Sequence, residues 1–199
     1  KGFLGWGDGT KPGDEKLLRF LYEHKHTTPF EMAGMVIEVK APIFVFREWH
    51  RHRTQSYNEM SARYIPLPDE NYRPDARNIQ ARIASGGGNK QAGNASQHIP
   101  NDQEIESWLL RLDASYRCAQ LVYEDGLALG IPKEVARSPV PVARYSRMRA
   151  SANLHNWLAF LTLRMAPVAQ WEIRQYANVV GKIIAELFPR TWALFEEKS

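Results

Sequence analysis

Apolar residues recur with a helical period in four long stretches of the chain and with a strand-like alternation in shorter ones. Leu17, Leu18, Leu21 and Tyr22 mark an amphipathic helix over residues 14–25, with Asp14 placed to cap it. The paired threonines and Pro29 in the run 24–31 stop that helix. Val36, Ile37 and Val39 predict a strand over 33–40. Pro42 suits a helix start, and Ile43, Phe46 and Trp49 carry helical spacing over 41–50. From Ser56 onward the pattern is extended, which puts Glu59, Ser61 and Arg63 on one face and Asn58, Met60 and Ala62 on the other.

The second half is more helical. Residues 66–100 hold prolines, a Gly run and many amides, and read as loop with a short strand or turn inside, including a flexible loop over 85–95. Residues 102–129 form a long helix with Ile105, Leu109, Leu112, Tyr116, Ala119 and Tyr123 inward, Asn101 or Asp102 as cap and Gly130 as stop. Cys118 falls within this helix as a buried, inert thiol. A helical turn is expected over 131–137, and a strand over 139–150, where Val140, Val142 and Tyr145 mix with Arg144, Arg147 and Arg149. Helices follow over 153–165 and 170–187, the second with Ile173, Tyr176, Val180 and Ile184 inward, and a last short one over 191–198. The sum is an α+β fold, long helices packed on a small, mainly antiparallel sheet, in a single domain over 1–199.

Composition adds bounds. A chain of 199 residues can bury a substantial core. Its formal charge of +4 favours acidic ligands without demanding a nucleic-acid polymer. One cysteine cannot form an internal disulfide, which fits a reducing, cytoplasmic compartment. No apolar run approaches the roughly 20 residues of a membrane span. The opening over 1–13 is Gly-rich and irregular, lacks a signal-peptide pattern and begins at Lys1, so the native N-terminus is expected to lie elsewhere.

The chemistry concentrates in residues 47–64, R-E-W-H-R-H-R-T-Q-S-Y-N-E-M-S-A-R-Y. Four arginines there have few acidic neighbours in sequence, so an outside anion is expected to supply charge, and guanidinium forks match phosphate oxygens. Three other readings stay open on these residues alone. The arginines could be neutralised by distant carboxylates. Basic residues interleaved with Trp49, Tyr57 and Tyr64 could bind nucleic acid. His24 with His26 and His50 with His52 have the look of metal-ligand pairs, yet no Cys and no H-E-x-x-H joins them.

Longer motifs narrow the choice. R-H-R at 51–53 followed after seven residues by Ser61, within Y-N-E-M-S-A-R-Y at 57–64, resembles the signature of the flavin-dependent thymidylate synthases. H-x-T-P-F-E at 26–31, A-P-I-F-V at 41–45, V-A-R at 135–137, N-L-H at 153–155, L-x-L-R at 161–164 and A-Q-W-E-I at 169–173 extend the resemblance in order. The resemblance implies reductive methylation of dUMP to dTMP, with methylenetetrahydrofolate as carbon donor, NADPH as reductant and FAD as cofactor. It also implies a homotetramer with active sites at subunit interfaces; no metal is expected, because the histidine pairs lack the further ligands a metal site needs. By the same resemblance Thr28, Arg51, His52, Arg53, Glu59, Asn153, Leu154, His155 and Ala159 would hold FAD. Glu48, Arg51, Glu59, Met60, Ser61, Ala62, Arg63, Arg137 and Arg164 would hold dUMP, and His26 and His52 would lie near folate and NADPH. Arg164 matches the catalytic arginine that favours ionisation of uracil N3, a cation beside a developing anion.

Some positions depart from the family pattern. Glu48 stands where many relatives have Gln, and a carboxylate beside phosphate repels it unless an arginine intervenes. His155 stands where some relatives have Arg, and Ala159 where a relative often has Asn or His, so one polar contact to the flavin is expected to be missing. Ser61 has no dedicated base nearby in sequence and reads as a phosphate ligand, not a nucleophile.

Overall fold

The computed structural model describes residues 13–85 and 98–197. The irregular start expected over 1–13 lies outside the described residues except for Gly13, which opens a helix, and the loop expected over 85–95 lies outside them except for Ser85. Elements follow in the order α1 (Gly13–Glu23), α2 (Thr28–Glu31), β1 (Gly34–Pro42), α3 (Ile43–Trp49), β2 (Ser56–Glu59) and α4 (Ala76–Ala84). Then come α5 (Asp102–Ala128), α6 (Lys133–Ala136), β3 (Tyr145–Asn153), α7 (Leu154–Arg164), α8 (Trp171–Leu187) and α9 (Pro189–Glu196). The architecture is the α+β arrangement that the periodicity predicts, with a three-stranded sheet in the order β1-β3-β2. The Leu154 N–H donates to Ala33 O at 2.8 Å and the Ile43 N–H to Arg144 O at 3.0 Å, so β1 and β3 run antiparallel. Contacts divide the chain into two compact units, one made of residues up to Val36 and from Ser151 onward, the other of Ile37–Ala150.

The first unit is helical. Ile173, Ala177, Val180 and Ile184 of α8 are buried at helical spacing, and Tyr176 is half-buried. A Cβ on Gly181 would come within 2.9 Å of the Trp192 ring, so a side chain there would force that ring of α9 to shift. Helix α8 stops at Phe188, and Pro189 opens α9, where a missing N–H is harmless. Helix α7 buries Leu154, Trp157, Leu158, Phe160 and Leu161. The segment expected only to stop α1 makes a helical turn of its own, α2, with Pro29 in its first turn and Phe30 buried.

The second unit is built on α5. Its 27 residues begin with a capping box: Asn101 Oδ1 accepts from the Glu104 N–H at 3.0 Å, and Glu104 Oε2 accepts from the Asn101 N–H at 2.8 Å. Ile105, Leu109, Tyr123 and Gly126 form its buried stripe. Cys118 is exposed, not buried as expected. It lies about two and a half turns beyond Leu109, which puts it on the opposite face. A Cβ on Gly126 would stand 3.2 Å from Ala136 Cβ, so α6 crosses close over α5 there.

Three further expectations are corrected here. The expected strand over 139–150 starts only at Tyr145. Pro139 and Pro141 lack the N–H that a ladder needs, and turns closed by Val140 N–H to Arg137 O (3.0 Å) and Arg144 N–H to Pro141 O (2.9 Å) precede it. In β3, Ser146, Met148 and Ala150 face inward while Arg147 and Arg149 face outward, where both bond Glu38 at 3.1 and 3.2 Å. The expected loop over 66–100 contains helix α4, capped by Asp75 accepting from the Asn78 N–H at 3.0 Å. The extended pattern from Ser56 ends at Glu59. Among the described residues no helix is long and apolar enough to cross a membrane.

Replacing Asn101 by Ala removes the α5 cap. The expected loss is about 1 kcal/mol, or roughly 2–4 °C in Tm, measured by thermal unfolding followed by circular dichroism. An unchanged Tm would show that the box does not anchor the helix.

Candidate active site

Helix α3 places the basic stretch. Its first two N–H groups are pinned, Ile43 to Arg144 O at 3.0 Å and Phe44 to Val142 O at 2.9 Å. Val45, Phe46 and Trp49 are buried, which leaves Arg47 facing out. The chain then winds through consecutive tight turns, with Arg51 N–H to Glu48 O (3.3 Å), His52 N–H to Trp49 O (3.0 Å) and Gln55 N–H to His52 O (3.1 Å).

Side chains lock this turn from beneath. The Trp49 indole N–H donates to Gln55 Oε1 at 3.0 Å. The Tyr57 hydroxyl shares its proton between Trp49 O at 3.0 Å and His52 O at 2.7 Å. His50 stands edge-on to the Tyr57 ring, centroids 4.7 Å apart, and its Nε2 lies 3.1 Å from Met148 Sδ. Arg51 and Arg53 are therefore exposed on a turn whose carbonyls are already engaged, and His52 is half-buried between them. A fixed turn with outward guanidiniums suits a phosphorylated ligand.

A cavity of about 460 Å³ opens beside this segment. Glu59, Met60, Ser61 and Ala62 line one wall in succession. This corrects the expected alternation of Glu59, Ser61 and Arg63 along one strand face. After the last ladder bond, Met60 N–H to Arg147 O at 2.8 Å, the chain bends, and Tyr64 and Ile65 N–H both return to Ser61 O at 3.1 Å. Arg137 and Ser138, just past α6, line another side. Five residues of the expected nucleotide set, Glu59, Met60, Ser61, Ala62 and Arg137, thus meet at one cavity.

Arg63 is tied next to it. Its Nε donates to Glu134 Oε2 at 2.9 Å, and its guanidinium lies 5.7 Å from the Tyr64 ring centre. Lys133 Nζ donates to Tyr64 O at 2.9 Å, so α6 holds the 61–64 turn at two points. Both Arg63 and Glu134 are about half exposed, so their pair contributes at most about 1 kcal/mol and is readily exchanged for another anion. Glu48 sits half-buried on α3 and is not part of the cavity lining.

Several lining residues carried no signal in sequence. Arg47 and Ile43 share a face of α3 one turn apart, and that spacing could have been read. Leu67, Glu134, Val140 and Ser146 reach the cavity from separate segments, and only the tertiary fold joins them.

The remaining expected residues lie in the helical unit. Thr28 opens α2 and is exposed; His26, also exposed, stacks on Phe20 with centroids 5.9 Å apart. Asn153 caps α7, its Oδ1 accepting from the Asn156 N–H at 2.9 Å. Leu154 is buried, with its N–H on Ala33 O, while His155 is half-buried and Ala159 exposed. Arg164, the last residue of α7, is half-buried. Among the described residues no group of three or more His, Cys, Asp or Glu is placed to hold a metal ion.

In this α+β protein a mixed-charge, hydroxyl-bearing cavity stands beside a locked arginine turn, a combination whose chemistry suits small phosphorylated ligands. The chain belongs to the thymidylate synthase complementing protein family, whose profile matches residues 7–190. It is 42% identical over 196 residues to a flavin-dependent thymidylate synthase of Thermus thermophilus, covering 98% of this chain and 68% of that protein. The enzyme of the same description from Dictyostelium discoideum is 36% identical over 188 residues, covering 94% of this chain and 60% of that one. Among solved structures, the UMP/dUMP methylase PolB from Streptomyces cacaoi bound with 5-Br dUMP superposes with a TM-score of 0.81 at 31% identity, over 94% of this chain and 81% of that chain.

Burial pushes the Tyr57 phenol up to about 12. Its folded value lies above the usual ~10, so the stabilisation it gives is complete below pH ~10 and is lost as pH rises through about 12. Tyr57→Phe is expected to unfold at lower denaturant than the parent at pH 8, with the gap closing towards pH 12. A gap that stays constant across that range would show that the hydroxyl does not fasten the turn.

Proposed function

We propose that this chain is a flavin-dependent thymidylate synthase. It methylates dUMP to dTMP, taking the carbon from methylenetetrahydrofolate and reducing equivalents from NADPH, with FAD as cofactor. The observation that carries this reading is the convergence of Glu59, Met60, Ser61, Ala62 and Arg137 on one cavity of about 460 Å³. A cavity of that size accommodates a nucleoside monophosphate.

In this reading Arg137, Ser61 and the backbone of the 61–64 turn hold dUMP, with Glu59 bordering nucleotide and flavin. Arg63 exchanges Glu134 for the substrate phosphate, since guanidinium binds either anion with similar geometry. Ser61 Oγ accepts from the Arg63 N–H at 3.4 Å, a turn contact, and serves as a binding group. Glu48, one residue from the cavity-lining Arg47, takes part in the nucleotide site only through such an arginine.

The residues also fit FAD. Arg51 and Arg53 present exposed guanidiniums on a turn held by Tyr57 and Gln55, the donor set that a pyrophosphate requires. Thr28 offers an exposed hydroxyl, and His52 and His155 half-buried rings. Asn153 and Leu154 contribute through the start of α7, and Ala159 leaves that neighbourhood one polar contact short. His26 and His52 stand at the folate and NADPH side. When bound, FAD supplies the hydride chemistry, and the chain binds, orients and polarises. Arg164 acts as the cation that favours the ionised uracil ring. The active form is a cytoplasmic homotetramer whose active sites draw residues from more than one chain.

The test is tritium release from C5-labelled dUMP in the presence of FAD, methylenetetrahydrofolate and NADPH. Release above a control without added folate and NADPH is expected, and its absence from FAD-loaded protein would overturn the reading. Arg164→Ala is expected to cut turnover by roughly 100-fold at unchanged FAD content. Arg53→Ala is expected to lose FAD during gel filtration, and full retention would remove Arg53 from the cofactor site.

A further inference from the structure

Ser146 lies on the inward face of β3 with Met148 and Ala150 and is 2% exposed. Its hydroxyl has no hydrogen-bond partner among the described residues. A buried hydroxyl left unpaired costs about 1–3 kcal/mol, so native proteins rarely keep one unless something else completes it. The same residue lines the cavity. The other polar lining residues, Arg47, Glu59, Glu134 and Ser138 among them, are exposed, whereas Ser61 and Arg137 are half-buried. Ser146 is therefore the most deeply buried polar group of the lining, and its apolar companions Ala62 and Leu67 are buried as well. Neither companion's side chain can satisfy a hydroxyl.

We propose that Ser146 is a substrate-binding residue whose hydroxyl hydrogen-bonds an oxygen of the nucleoside monophosphate held in this cavity. The proposal rests on the reading of the cavity as the dUMP site. A nucleoside monophosphate carries acceptor oxygens on phosphate, sugar and base, and a serine hydroxyl can donate to any of them. No side chain of the wall competes for the hydroxyl, so it is free to turn towards a bound nucleotide. A nucleotide that leaves Ser146 unpaired in the closed contact is disfavoured.

The test is calorimetric titration of FAD-loaded protein with dUMP, parent against Ser146→Ala, with the Tm of both proteins measured without nucleotide. The variant is expected to bind dUMP roughly tenfold more weakly. Its ligand-free Tm should not fall, because no hydrogen bond within the described residues is lost. Equal dUMP affinity in the two proteins would overturn the assignment. A ligand-free Tm lowered by several degrees would also overturn it, since the hydroxyl would then serve the fold. If the FAD-loaded parent protein itself binds no dUMP, the reading of the cavity as a dUMP site fails, and this assignment with it.

Discussion

A guanidinium shut away from water must find acceptors and counter-charge inside the protein. Arg144 is 0% exposed and does so through its two terminal nitrogens, bonding Pro68 O at 2.7 Å, Gln120 Oε1 at 2.8 Å and Asp69 Oδ1 at 3.1 Å, while its Nε has no partner among the described residues. Its carbonyl accepts the first N–H of α3, and it forms a bridge with Asn71. One residue thereby ties α5, the 67–71 segment, the start of β3 and the start of α3. The cavity takes Leu67, Ser146 and Ile43 from residues adjoining these anchors. Burial pulls the guanidinium below its usual range, partly offset by Asp69, so the site's frame is held by a charge that the fold itself keeps costly. That cost is consistent with a role in fixing geometry more than in adding stability.

The rim of the cavity works on the opposite principle. Arg47, Glu59, Arg63 and Glu134 are all exposed, and their charges are screened and exchangeable. The lining itself carries two cations, Arg47 and Arg137, and two carboxylates, Glu59 and Glu134, and Arg63 adds a third cation beside it. An anion that enters beside Arg63 meets a guanidinium whose present partner is an exposed and weakly held carboxylate. The rigid frame and the exchangeable rim are separate devices. Arg144 fastens the segments from which the walls rise, and the Arg63–Glu134 contact leaves a weakly paired cation at the turn.

Much of this is legible in the sequence. The long helices follow from apolar spacing, and the α5 cap follows from Asn101 and Glu104 three residues apart. The 47–64 stretch stands out because its arginines have too few carboxylates nearby in sequence, and the fold sets part of it, Arg47 and Glu59 to Ala62, along a cavity. The departures have physical causes. Helix α4 is hidden by the Pro- and Gly-rich composition around it, although Asp75 and the Ile79/Ile83 pair are its cap and its face. Alternation over 139–144 mimics a strand, but two prolines there cannot join a ladder. Cys118 looks like a core residue by membership in a helix, yet its phase along α5 turns it outward. The turn at Ser61 escapes notice because short polar residues read equally well as strand or bend.

What sequence cannot supply is the company each residue keeps. Glu134 and Ser146 are ordinary in their own segments, one on a short helix after Pro132, the other on a strand beside Arg147. The first becomes notable only because α6 is pinned over the 61–64 turn by Lys133 and Arg63. The second becomes notable only because the strand ladder stops at Met60 and leaves the wall open at that depth. Family motifs mark residues whose chemistry is demanding by itself, such as clustered arginines. A lone hydroxyl or carboxylate that acts by being unpaired, or paired with an exchangeable partner, has no such mark. Its role follows from hydrogen-bond accounting in the folded chain, where every buried donor must be matched or explained.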